Sequence, residues 1–148
     1  MPPSADANDT NANPMRCLLV LMFGAFAMGN AKFSIFPLVP AIAADLNSSP
    51  SEILHAVFAY LWGGLIAAPI MAIVFRNWSK PRILTLLSVW CFLGNLLTSF
   101  ATNADMLYWL RWFSGIPHAA FLAFSTLLIA EIAPPNKRGR YLGLSLVG

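Results

Sequence analysis

The chain has 148 residues, of which 58% are hydrophobic and only 10% charged, with a net charge of +3. A soluble domain carries about 25% charged residues, and the nine Lys and Arg with six Asp and Glu present here cannot clothe a water-facing surface. Composition and a mean hydropathy of +0.67 therefore argue against a soluble globular domain, a disordered chain and a nucleic-acid binder.

Residues 1–15 hold almost nothing apolar to bury and read as a disordered tail. Four long apolar segments follow: Cys17–Val39, Ile53–Phe75, Ile83–Ala101 and Met106–Ile132. Each has about the 20 residues needed to cross the hydrocarbon core. Lipid offers no hydrogen bonds, so each segment is expected to be a helix. Polar connections separate them at Asp45–Glu52, Arg76–Arg82, Thr102–Asp105 and Pro134–Arg140, and Ser51-Glu52 suits a helix start. Tyr141–Gly148 is apolar but too short to cross, and reads as the beginning of a fifth span in a truncated chain. The expected fold class is all-α integral membrane, with residues 16–148 forming the transmembrane domain.

All Lys and Arg outside the spans fall on one side: Arg16, then Arg76, Lys80 and Arg82, then Lys137, Arg138 and Arg140. The opposite loops hold Asp45, Glu52 and Asp105. The positive-inside rule places the N-terminus and the basic loops in the cytoplasm. A cleaved signal peptide ending at Ala41-Ile-Ala43 fits poorly, because the apolar stretch is too long and three more spans follow. Pairs four apart (Ala25 and Gly29, Gly63 and Ala67, Gly64 and Ala68, Gly115 and Ala119) suit close helix packing. Pro37, Pro69 and Pro117 can kink or break their helices.

Ionisable groups inside a span are costly and default to a functional reading. Lys32 lies roughly 10 Å and Arg111 roughly 8 Å from the outer end of their spans, at 1.5 Å per residue. Each either extends its head to the surface or lines an internal cavity. Arg111, Gly115, His118 and Ser125 share one helix face. His118 by itself reads as a hydrogen-bonded packing residue or a proton relay. Neither Lys32 nor Arg111 has a carboxylate at its depth. Glu131, seven residues before Arg138, is placed to pair with it. Ser114 and His118 are four apart, as a nucleophile and base could be, but no oxyanion-hole motif accompanies them. Cys17 and Cys91 lie at different depths and read as packing residues, and no cofactor or metal motif is present.

Three segments carry a family resemblance. Phe33-Ser-Ile-Phe-Pro-Leu-Val-Pro-Ala-Ile-Ala-Ala-Asp-Leu46 resembles the end of the first helix in major facilitator superfamily transporters of the drug- and sugar-efflux type. Leu110-Arg-Trp-Phe-Ser-Gly-Ile-Pro-His-Ala-Ala120 resembles the fourth-helix motif, an Arg followed four residues on by Gly. Ala130-Glu-Ile-Ala-Pro-Pro-Asn-Lys-Arg-Gly-Arg140 resembles the following loop, and Gly94-Asn95 fits the third helix. The arabinose-efflux-like permeases are the nearest type. Two departures stand out. The loop after the second helix has Arg76-Asn77 and Ser79-Lys80 where the family has an Asp-Arg pair and Gly-Arg, so the aspartate of the gating salt bridge is missing. Lys32 stands where efflux relatives often carry Glu, which removes a proton-carrying acid and favours an anionic substrate.

The resemblance implies an N-terminal piece of a 12-helix secondary transporter built from inverted repeats, resident in the bacterial inner membrane. Its partners would be the lipid bilayer and a small solute moved with a coupling proton or ion, with no cofactor. Arg111, His118 and Lys32 would line the substrate cavity, and Glu131 with Arg138 would form a cytoplasmic gate. The alternative is a small four-helix membrane protein acting as an assembly or accessory subunit.

Overall fold

The computed structural model describes residues 13–145. The expected tail falls on residues 1–12, outside the described residues, apart from its last three positions, and residues 146–148 of the expected fifth segment also lie outside them. Helix α1 spans Pro14–Phe33. It opens before the expected boundary because Asn13 caps the Met15 amide at 3.0 Å and Pro14 is preset for a first helical turn. Helices α3 (Pro50–Val74), α4 (Lys80–Thr98) and α5 (Ala104–Ile132) match the other three apolar segments in order. All four are long and apolar enough to cross a membrane when α1 is counted with the short helix α2 (Val39–Asp45) that continues it. Helix α6 spans Arg138–Ser145. Among the described residues there is no strand.

The first span is not one helix. A 3-10 turn at Phe36–Leu38 separates α1 from α2. Pro37 and Pro40 have no amide to give the carbonyls of Phe33 and Phe36, and each ring crowds the turn before it. The chain instead tightens, with Leu38 N–H on Ile35 O at 3.0 Å. By contrast, α3 runs unbroken through Pro69 and α5 through Pro117. The start of α3 is set by Ser49, not by Ser51. The Ser49 hydroxyl accepts the Glu52 amide at 3.3 Å, and the Glu52 carboxylate accepts the Ser49 amide at 2.7 Å.

Helices α3 and α5 share the most extensive contact, and small residues allow it. A Cβ on Gly63 would collide with the Trp112 carbonyl, and one on Gly115 with the Tyr60 carbonyl. Gly94 of α4 likewise lies where a Cβ would be 2.8 Å from the Ser114 Cβ. The backbones therefore touch directly, as expected of the glycine pairs. Large apolar side chains are exposed on the outside of the bundle instead, including Phe23, Phe92 and Trp109.

Candidate functional site: a polar layer between two apolar clusters

Buried apolar residues form two clusters along the bundle. One gathers Leu18, Leu21, Ala25 and Met28 of α1 with Leu84, Leu87, Phe121 and Ile129, at the end carrying the basic loops. The other gathers Ile35, Val39, Ala43, Ile53, Val57 and Leu107, at the acidic end. On α5 the residues between them run from Arg111 to His118, and on α3 they include Tyr60. Arg111 and Ser114 are the buried polar side chains of this layer, while Ser125 and Ser145 are buried at the basic end.

Arg111 anchors that layer. It is only 3% exposed, so its head does not extend to the surface. Its Nη1 donates to the Ala31 carbonyl of α1 at 3.3 Å. Its guanidinium carbon lies 4.7 Å from the Tyr60 ring centre on α3, within the range of a cation–π contact. Tyr60 then meets His118: its hydroxyl is 3.3 Å from Nδ1 and the rings contact edge-on. One arginine and one tyrosine therefore tie α1, α3 and α5 together. The Nε and Nη2 groups of Arg111 are buried without a hydrogen-bond partner among the described residues.

Lys32 is half-buried. Its Nζ lies 4.7 Å from the centre of its neighbour Phe33. Arg111 binds the preceding residue, Ala31. Ser114 and His118 do not pair. The Ser114 hydroxyl is spent on the Arg111 carbonyl at 3.0 Å while His118 faces Tyr60, so the nucleophile–base arrangement is absent. Cys91 is buried and accepts from the Asn95 amide at 3.4 Å, and Cys17 is half-buried, as packing residues would be.

At the basic end, the expected partner of Glu131 is replaced. Glu131 binds Lys80 at 2.6 Å and not Arg138. Glu131 ends α5, where the dipole is negative, and Lys80 begins α4, where it is positive. Each charge is poorly placed alone, and each is neutralised by the other. Arg138 instead begins α6, seven residues further along the chain. Lys80 and Tyr60 were the residues sequence reasoning missed. Lys80 carried the opposite charge on the same side as Glu131, and Tyr60 preceded the Gly63-Gly64 contact by one helical turn.

Membrane-length helices packed on glycine around a buried arginine define a multi-pass membrane protein. The chain belongs to the Major Facilitator Superfamily, whose family model matches residues 21–148. It is 30% identical to AraJ of Escherichia coli (strain K12) over 82% of this chain and 31% of AraJ. It is 28% identical to the inner membrane transport protein YdhP of the same strain, over 88% of this chain and 34% of YdhP. It is also 28% identical to the chloramphenicol resistance protein of Streptomyces lividans, over 88% of this chain and 33% of that protein. The chain spans about a third of the length of the curated relatives it matches. No solved structure matches it significantly.

Proposed function

We propose that the protein exports a small solute across the bacterial inner membrane by alternating access, driven by a coupling proton or ion. The observation that carries this reading is Arg111, a buried cation in the bilayer that joins three helices and keeps two donors free. A static bundle gains little from such a group, whereas a cavity that binds and releases a polar solute needs one. His118 and Lys32 line the same cavity, and Arg111 orients the solute or the coupling group. The Lys80–Glu131 pair, with Arg138 nearby in sequence, acts as the cytoplasmic latch between rocking elements. The N-terminus is cytoplasmic in this scheme, by the bias of Lys and Arg. The likeness to an inner membrane transport protein and to a chloramphenicol resistance protein supports both the location and the outward direction.

The test expresses the gene from start to stop codon in a host stripped of its own efflux pumps, with chloramphenicol as the first probe. Cells should accumulate less drug than controls. Arg111→Ala should abolish that difference while leaving membrane insertion intact. Unchanged export in the variant would overturn the assigned role.

A further inference from the structure

The unpartnered donors of Arg111 are not scattered. Nη1, on the Cδ side of the group, is spent on the Ala31 carbonyl. Nε and Nη2 are the two left without partners, and their N–H bonds point from the same edge of the guanidinium plane. That edge is the fork that grips a carboxylate with two parallel hydrogen bonds. The guanidinium carbon lies 4.7 Å from the Tyr60 ring centre, and this contact with the Ala31 hydrogen bond holds the group while its fork has no partner among the described residues. A second cation stands close by in the chain: Lys32 follows Ala31, and its ammonium lies 4.7 Å from the Phe33 ring centre. The one ion pair among the described residues is Lys80–Glu131, at the basic end of the bundle. Asp45, Glu52 and Asp105 all lie at helix ends. Among the described residues, the buried Arg111 thus has no carboxylate paired with it.

We infer that Arg111 is a carboxylate-binding fork and that the solute handled at this site is a small organic anion. The carboxylate lies in the guanidinium plane against Nε and Nη2, and Lys32 supplies a second positive charge at the α1 side. Both donors are buried in this conformation, so the anion reaches them only when the helices part, as alternating access requires. The inference rests on the transporter reading and narrows its substrate class.

The test needs no transport. The chain is placed in nanodiscs of zwitterionic lipid with 15N-labelled arginine. Benzoate is then compared with benzamide, its neutral isostere. Benzoate should shift one slowly exchanging Arg Nε–H resonance, and benzamide should leave it in place. In Arg111→Lys, which keeps the charge and loses the fork, that resonance disappears and benzoate affinity falls by about tenfold or more, the worth of one charge-assisted hydrogen bond. Lys32→Gln should weaken benzoate binding while the shift persists. Where Arg111→Lys fails to fold, the benzoate–benzamide contrast on the unaltered chain decides alone. Equal shifts with both probes, or none with benzoate, overturn the inference. So does an Nε–H that, in the complete gene product, is already held by an Asp or Glu of the protein and ignores benzoate. Arg111-dependent export of chloramphenicol without any benzoate effect would keep the transporter reading and remove this one. Benzoate binding without export of either chloramphenicol or benzoate would keep the carboxylate fork and remove the transporter reading, so that the bound anion would no longer be a transported solute.

Discussion

Arg111 lies 4.7 Å from the centre of the Tyr60 ring, on a different helix, and the same tyrosine places its hydroxyl 3.3 Å from His118. One side chain therefore supports two polar groups by different physics. The ring face attracts the cation, and the hydroxyl hydrogen-bonds the imidazole. The two contributions separate by mutation. Tyr60→Phe keeps the ring and should cost about 1 kcal/mol, the net worth of one hydrogen bond. Tyr60→Leu also loses the cation–π contact, for up to about 2 kcal/mol more in a desolvated site. Thermal unfolding in detergent measures the difference. Equal losses in the two variants would mean the ring does not hold the cation.

The glycines make a sharper contrast. Gly115 and Gly63 face backbone carbonyls of the neighbouring helix, which cannot swing aside as a side chain does. Gly115→Ala or Gly63→Ala should therefore force α3 and α5 apart and destabilise by about 1–3 kcal/mol or more. Gly143 in α6 has nothing within 4 Å of its would-be Cβ. Gly143→Ala should be neutral or stabilise by up to about 1 kcal/mol through helix propensity. Unfolding midpoints in a fixed detergent compare them directly. A tolerated Gly115→Ala would contradict the close approach.

The Lys80–Glu131 pair is part-exposed, with side chains 28% and 59% accessible, so its coupling should be below about 1 kcal/mol and fall with added salt. Its orientation gives a less obvious expectation. Each partner opposes the dipole of its own helix end. The exchanged pair, Lys80→Glu with Glu131→Lys, restores attraction and also puts each charge at the favourable end. The double variant should equal or exceed the parent in stability, while each single variant loses. A double variant weaker than both singles would show that the pair does not act through charge. In the proposed latch, the double variant should also retain transport that each single variant impairs.

The spans were legible in the sequence because lipid imposes one rule on every segment, so apolar length alone located α3, α4 and α5 within a few residues and the start of α1 equally well, but not its end at Phe33. Arg111 was legible for the same reason, since a charge in a span stands out. Its surroundings were not. Tyr60 is an ordinary residue on an apolar helix, and only the docking of α3 on α5 brings its ring to the guanidinium. Glu131 was matched to Arg138 because the two are near in sequence, whereas its partner lies 51 positions away, on a helix that α5 packs against. Counting apolar residues does not show the interruption near Pro37, since a 3-10 turn is as apolar as the helix it interrupts; the proline itself marked it, whereas Pro69 and Pro117 leave their helices unbroken.

That interruption yields the last prediction. Ile35, Val39 and Ala43 pack against Ile53, Val57 and Leu107, and the turn at Phe36–Leu38 sets their direction. Pro37→Ala with Pro40→Ala supplies the two missing amides, opposite the Phe33 and Phe36 carbonyls, and removes a helix penalty of about 3 kcal/mol per proline in a helix interior. The expected result is one continuous helix through residues 34–39. Amide exchange there should slow, while exchange near Ile53 and Val57 quickens as α2 is drawn off α3. Hydrogen exchange in detergent or nanodiscs reads both regions at once. If neither region changes, packing against α3 and not the prolines holds the turn.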